Sequence, residues 1–289
     1  MLLSASRRTD ILAFYSDWFM NRIRKGNVKT RNPYNPHQTR EINLAPENID
    51  CIIFWSKNPV EMLDKLEELW KRGYYFYFQF TLTSYNQILE PEVPEKKYVV
   101  DTFRRLADMI GKEKVVWRYD PILLTDKVDK QYHYRYFDFL ADKLKNHTER
   151  CIISFLDLYR KTERKLAFFK LQPMNEENKR EIAKKLKEIT DNYGLRLETC
   201  AENLDLTGME IYPGKCVDDR LIERITGGKL DIPRDKNQRD NCNCVKSVDI
   251  GAYDTCLHNC LYCYANQNRR KVQKRIAQHD SRSPFLVER

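Results

Sequence analysis

Six short apolar or aromatic runs recur along this chain, at residues 1–5, 51–55, 74–82, 115–119, 151–156 and 195–200. Each has the length of a buried strand. Helical spacing fills the gaps between them. Leu12, Tyr15, Phe19 and Ile23 recur every three or four residues, as do Met62, Leu66, Leu69 and Trp70. Phe103, Leu106, Ala107 and Ile110 repeat the pattern, and so do Ile182, Leu186 and Ile189. Strands alternating with amphipathic helices imply βα units and a parallel sheet. A further strand is expected over 247–252, followed by a basic helix over about 266–279. The pattern predicts one α/β domain over 1–289, with about seven parallel strands in a partial or closed TIM-like barrel. The segment 204–246 breaks the alternation. It holds Gly208, Pro213, Gly214, Gly227, Gly228 and Pro233, and reads as a loop-rich insert with one short helix near 217–225. A long irregular insert in a compact domain is usually functional.

Composition narrows the class. Hydrophobic residues make up 42% and charged residues 32% of the 289, which excludes a disordered chain. No apolar run reaches the roughly 18 residues of a membrane helix. The N-terminal stretch lacks the apolar core of a signal peptide, and Arg7-Arg8 is not followed by one. A cytoplasmic protein without membrane contact is expected. The net charge of +9 permits anionic partners, including nucleic acid. The basic stretch Arg269-Arg270-Lys271 reads first as a solvated helix face.

Nine cysteines are many for a reducing compartment, where they act as thiols or ligands rather than disulfides. Five lie between positions 242 and 263. Cys256, Cys260 and Cys263 form a C-x3-C-x2-C run. Three thiolates on one short loop can hold three irons of a four-iron, four-sulfur cluster, leaving the fourth iron open. Cys200, Cys216, Cys242 and Cys244 are four more, enough for a second iron–sulfur cluster or a tetrahedral zinc site. Their wide spacing leaves open both metals, and also a plain core role for Cys200. Cys51 and Cys151 begin apolar runs and read as core residues. His258, inside the main run, is not needed as a ligand.

In parallel α/β barrels the site forms where strands end, and polar residues collect there in this chain. The first run leads into Ser4, Ser6, Arg7, Arg8 and Asp10, and the second into Ser56, Lys57 and Asn58. Later runs end at Thr81, at Arg118 and Asp120, at Ser154 and Asp157, and at Cys200 and Glu202. Adjacent arginines suit a carboxylate or phosphate, so Arg7 and Arg8 are candidate cofactor-binding residues. Arg118, Asp120 and Glu202 are candidate catalytic residues. Asp10, Asn58 and Asp120 could equally be caps, and Arg118 could simply pair with Asp120.

The cysteine spacing, with Tyr262 before the last thiol, resembles the signature of the radical S-adenosylmethionine enzymes. That resemblance implies a 4Fe-4S cluster, S-adenosylmethionine on its open iron, and an external electron donor such as flavodoxin or ferredoxin. It also implies that groups at the end of the neighbouring strand, here Ser4 and Ser6, hold the methionyl amine. The glycine-rich motif normally found there is absent. The family usually opens with its strand–cysteine loop–helix unit, which here comes last, over about 247–280. A circular permutation would then set the 247–252 strand beside the N-terminal one.

The chain as a whole resembles an uncharacterised bacterial domain-of-unknown-function family with a C-terminal, radical-enzyme-like cysteine cluster. The matching stretches include residues 4–10, 54–59, 118–121, 200–202, 238–244 and 249–265. The 260–265 stretch is also locally similar to the cluster loop of spore photoproduct lyase. Three functions stay open on the residues. The first is a radical S-adenosylmethionine-type enzyme. The second is a non-catalytic zinc or iron–sulfur protein serving as a basic nucleic-acid-binding scaffold. The third is an electron-transfer protein.

Overall fold

The computed structural model describes residues 1–288. The chain opens with β1 (Leu2–Ala5), α1 (Ile11–Phe14), α2 (Ser16–Lys25) and a hairpin of β2 (Asn27–Arg31) and β3 (Thr39–Asn43). The βα alternation then continues through β4 (Cys51–Ser56), α3 (Leu66–Lys71), β5 (Phe76–Thr81), α4 (Lys96–Ile110), β6 (Val115–Ile122), α5 (Lys130–Leu144) and β7 (Arg150–Phe155). Next come α6 (Arg160–Leu166), α7 (Glu176–Asn192), β8 (Arg196–Thr199), β9 (Tyr212–Pro213), α8 (Asp219–Thr226), β10 (Val248–Asp249) and α9 (Arg269–Ile276). Among the described residues, no helix is long and apolar enough to cross a membrane.

Eight strands form one sheet in the order β10-β1-β4-β5-β6-β7-β8-β9, every neighbouring pair parallel. The last strand does lie beside the first: Leu3 is in register with Val248 and Ser4 with Asp249. Two features of the expected barrel are corrected. The sheet has eight strands because the insert adds β9 against β8. It is also open, since edge strands β10 and β9 do not pair with each other. A barrel removes its edges by closure; this sheet instead has its inner face covered. Leu2, Ile53, Tyr77, Val116 and Ile152 point to that face and pack against Val217, Leu221, Ile222 and Val245 of the 204–246 segment and its flank. The alternate strand residues, among them Leu3, Ile52, Phe54, Phe78, Trp117 and Ile153, face the helices. Both faces of β1 and of β4 to β7 are therefore buried, which is why these strands read as continuous apolar runs.

The helices form for ordinary reasons. Val99, Val100, Phe103, Leu106, Ala107 and Ile110 make the buried stripe of α4. Asn175 caps α7 by accepting the Asn178 N–H. Asp129 caps α5, which buries Phe137, Leu140, Ala141 and Leu144. The β2–β3 hairpin carries one buried apolar residue per strand, Val28 and Ile42, opposite each other in register. Its remaining residues are polar, so it gives no apolar run in the sequence.

Candidate functional site

The carboxyl ends of the strands open into one cavity of about 670 Å³. Seven of the nine cysteines line it: Cys200, Cys216, Cys242, Cys244, Cys256, Cys260 and Cys263. The other two, Cys51 and Cys151, are fully buried in β4 and β7. Ser6, Arg7, Arg8 and Asp10 reach the cavity from β1, Trp55 and Lys57 from β4, and Arg118 and Asp120 from β6.

The cysteine loop is held by groups from distant segments. Tyr15 donates its hydroxyl to the Thr255 carbonyl at 2.6 Å, and Asn266 donates to the Cys256 carbonyl at 2.7 Å. His258 sits 2.9 Å from the Asp10 carboxylate, and both are buried. Asp10 also caps α1 through the Ala13 N–H and accepts the Lys57 N–H at 2.7 Å. Its capping role and its place beside the loop are thus the same arrangement: one carboxylate ties three segments together.

Glu90 makes a second tie. Its side chain is 1% exposed and accepts from Lys57 Nζ at 2.8 Å and Thr83 Oγ1 at 2.7 Å, and also from Lys96 and the Tyr262 hydroxyl. Burial alone would raise its pKa, but the charges of Lys57 and Lys96 win and hold it at about 2. Lys57 loses to burial but gains more from Glu90 and the neighbouring Cys260, so its pKa is raised. Burial pushes the Cys260 thiol up to about 12, against the pull of Lys57.

A third hub is Asp249 in β10. Its carboxylate accepts from Ser6 Oγ at 2.6 Å, Ser4 Oγ at 3.2 Å, and the backbone N–H groups of Arg7 and Gly251, each at 2.9 Å. Ser4 is fully buried and spent on this contact, and Ser6 reaches the cavity while bonded to the same carboxylate. Gly251 is required by this packing, because a Cβ there would lie 2.0 Å from Ser6 Oγ and 2.6 Å from Ser6 Cβ. Gly251→Ala is expected to destabilise by about 1–3 kcal/mol through overpacking, read as a lower melting temperature. An unchanged melting temperature would show that Ser6 yields freely.

A model of the family described as Domain of unknown function (DUF1848) matches residues 2–265. The chain belongs to this family. The match takes in β1 through the whole cysteine loop and stops just before Asn266 and α9. No curated protein matches the chain. Among solved structures, a provisionally assigned alpha-L-fucosidase from Bacteroides thetaiotaomicron is 14% identical over 63% of this chain and 73% of that one, with a TM-score of 0.26. A likeness so slight carries no argument about fold or function.

In the DUF1848 chain, Arg118 and Asp120 face each other across the end of β6. Arg118 Nε lies 3.2 Å from Asp120 Oδ2, with a closer contact through Nη2, and Ser154 donates to the same carboxylate. Burial opposes the charge on Asp120, but Arg118 and Ser154 hold its pKa below the usual value. The Trp55 ring is within cation–π reach of both Arg7 and Arg118, whose guanidinium carbons lie 5.6 and 5.5 Å from its centre. The indole N–H of Trp55 and the hydroxyl of Thr9 have no partner, and both residues line the cavity. Glu202 is placed elsewhere. It accepts the Phe155 N–H at 2.9 Å, pairs with Lys179 at 2.8 Å, and does not line the cavity.

Among the described residues, no three His, Cys, Asp or Glu side chains are grouped so as to hold a metal ion. A four-iron cluster makes a different demand. Its cysteines bind separate irons, so they must face one cavity rather than converge on one point. Cys256, Cys260 and Cys263 meet that condition.

Proposed function

We propose that this protein is an iron–sulfur enzyme of the radical S-adenosylmethionine type, with Cys256, Cys260 and Cys263 as the cluster ligands. One observation carries the reading: all three cysteines of a single loop line the cavity at the carboxyl ends of the parallel strands. A cluster held there by Cys256, Cys260 and Cys263 would supply one-electron reduction to an S-adenosylmethionine bound at its open iron. The chain's own residues fix the loop and line the space. Asp10 and Glu90 hold His258 and Tyr262, and so the backbone between the thiols. Lys57 places a buried cation near Cys260. Arg7, Arg8 and Arg118 offer cations to a carboxylate or phosphate.

The electron donor is proposed to be an acidic redox protein such as a flavodoxin or ferredoxin. A groove of about 720 Å³ beside the loop is lined by Arg160, Lys161, Arg164, Lys165 and Lys271, with Asp254 as its one carboxylate. Lys165 donates to the Cys263 carbonyl at 2.8 Å, so this basic groove touches the cysteine loop itself.

Oxygen-free reconstitution with iron and sulfide, reduction, and electron paramagnetic resonance with and without S-adenosylmethionine test the reading. The expected result is a four-iron signal that changes on adding S-adenosylmethionine and is lost when Cys256, Cys260 and Cys263 are replaced by alanine together. A folded protein that takes up zinc but no iron would overturn it, and so would a signal indifferent to S-adenosylmethionine.

A further inference from the structure

We infer that Cys200 and Cys216 form a redox-active dithiol, which closes to a disulfide by exchange with a small-molecule disulfide admitted to the cavity. The inference goes beyond the iron–sulfur reading and does not depend on Cys256, Cys260 and Cys263.

Separate segments bring the two residues together. Cys200 follows β8, and Cys216 precedes α8. Between them the chain turns back on itself. β9 pairs with β8, Thr199 opposite Pro213, and the Gly214 N–H donates to the Thr199 carbonyl at 2.7 Å. From the other side, Tyr77 and Gln79 of β5 donate to the Cys216 carbonyl at 2.7 and 2.9 Å. The backbone thus sets Cys216 Sγ 3.1 Å from Cys200 Sγ. Both thiols are free, both residues are buried, and both line the cavity. A disulfide needs the sulfurs to close by only about 1 Å more.

The plain alternative is a pair of small core hydrophobes. Cys51 and Cys151 show what that looks like here. They sit within strands and do not line the cavity, and the Cys51 thiol is spent on the carbonyl of Ile52. Cys200 and Cys216 differ in touching each other and in their charged surroundings. Arg118 Nη1 donates to Cys216 Sγ at 2.7 Å. Burial works against the charge on Arg118, but Cys216, Asp120 and Cys200 outweigh it and raise its pKa. Burial likewise opposes the charge on Arg239, which Cys200 and Asp157 sustain. Cysteines that lie beside fixed cations and reach a cavity are the ones that exchange. Direct contact between the sulfurs also marks a dithiol rather than two ligands spread around a metal, in place of the second metal centre the sequence allowed. Cys244 is the bystander: its sulfur accepts the N–H groups of Cys216 and Val217 at 3.3 and 3.4 Å.

The chemistry balances as two exchanges. The Cys216 thiolate attacks one sulfur of a disulfide RS–SR. The RS–SR bond breaks, and the first RS⁻ leaves and takes up the proton lost by Cys216. Cys200 then attacks Cys216 Sγ in the mixed disulfide. The Cys216–SR bond breaks, and the second RS⁻ leaves with the Cys200 proton. Two protein thiols are oxidised and one small disulfide is reduced to two thiols. The Cys200 contact lowers the Cys216 pKa, but Cys244 and burial outweigh it and leave it at about 11. Exchange is therefore slow at neutral pH and is driven by excess disulfide. The bond, once formed, ties the end of β8 to the segment before α8.

The native chain, purified reduced, is incubated with oxidised glutathione, alkylated under denaturation, digested with trypsin and mapped by mass spectrometry. Lys215 places the two cysteines on different tryptic peptides, so the disulfide joins peptides that free thiols leave apart. The expected product is a Cys200–Cys216 crosslink that dithiothreitol reverses, with Cys51 and Cys151 still alkylated as thiols. Cys200→Ser is expected to stop at a glutathione adduct on Cys216. Full alkylation of both Cys200 and Cys216 after prolonged incubation overturns the inference, and so does Cys216 joined to Cys244 instead. The native chain carries the deciding readout, so a variant that fails to fold leaves the test intact. Neither outcome bears on whether iron or S-adenosylmethionine binds at the 256–263 loop, so this inference and that reading fail separately.

Discussion

Glu90→Gln is expected to destabilise this protein by about 3–5 kcal/mol, because it leaves two lysines without a counter-charge in the interior. Lys57 and Lys96 have side chains only 13% and 26% exposed, and both direct their ammonium groups at Glu90. Glutamine keeps the shape and loses the charge. The same carboxylate sets a pH dependence. Its pKa falls from 4.5 to about 2 on folding. A carboxylate depressed in this way contributes stability that is complete above its unfolded value and is lost as pH falls towards its folded one. The contribution should therefore disappear between about pH 4.5 and pH 2, and is worth about 3 kcal/mol. Urea unfolding of the native and Glu90→Gln proteins across that range measures it. Other carboxylates titrate in both proteins, so the difference between the two curves is what reports on Glu90. That difference should be largest at neutral pH and shrink in acid. A constant difference would mean that Glu90 acts through packing rather than charge.

How much of this was legible in the sequence depended on whether a residue's role follows from its neighbours along the chain. Lys57, Arg118, Asp120 and Cys200 follow apolar runs directly, and a parallel strand delivers the residue at its end to the cavity whatever its partners are. The place of β10 beside β1 could also be reached, because a strand that comes last in the chain can still fill the open edge beside the first. Glu90 could not be reached. It lies in a loop with no periodic pattern, and its four partners come from positions 57, 83, 96 and 262. Glu202 shows the converse. It stands just past a strand end, yet Lys179 and the Phe155 N–H draw its carboxylate away from the cavity. The open sheet was illegible for a related reason. Whether a parallel sheet closes depends on what covers its inner face, and here that cover is an irregular insert whose contacts with Tyr77 and Arg150 leave no local signal.

These ties place the weight of the site on few residues, and the point of greatest leverage is where the two ends of the chain meet. Asp249→Ala is expected to destabilise by about 3–5 kcal/mol and to separate β10 from β1. Four donors converge on this carboxylate: the hydroxyls of Ser4 and Ser6, and the N–H groups of Arg7 and Gly251. Ser4 is fully buried and Ser6 nearly so, so water cannot simply replace the lost acceptor. β10 holds β1 over only two register pairs. With so short a ladder, side-chain hydrogen bonds supply much of what keeps the cysteine loop at the cavity. Asp249→Asn is the informative companion, because it keeps the volume and one acceptor oxygen and should lose less. Hydrogen exchange at the 248–265 backbone should rise in Asp249→Ala while that of β5 and β6 changes little. Equal loss of protection across the whole sheet would show instead that the joint is part of one cooperative core, with the cysteine loop no more dependent on it than the rest.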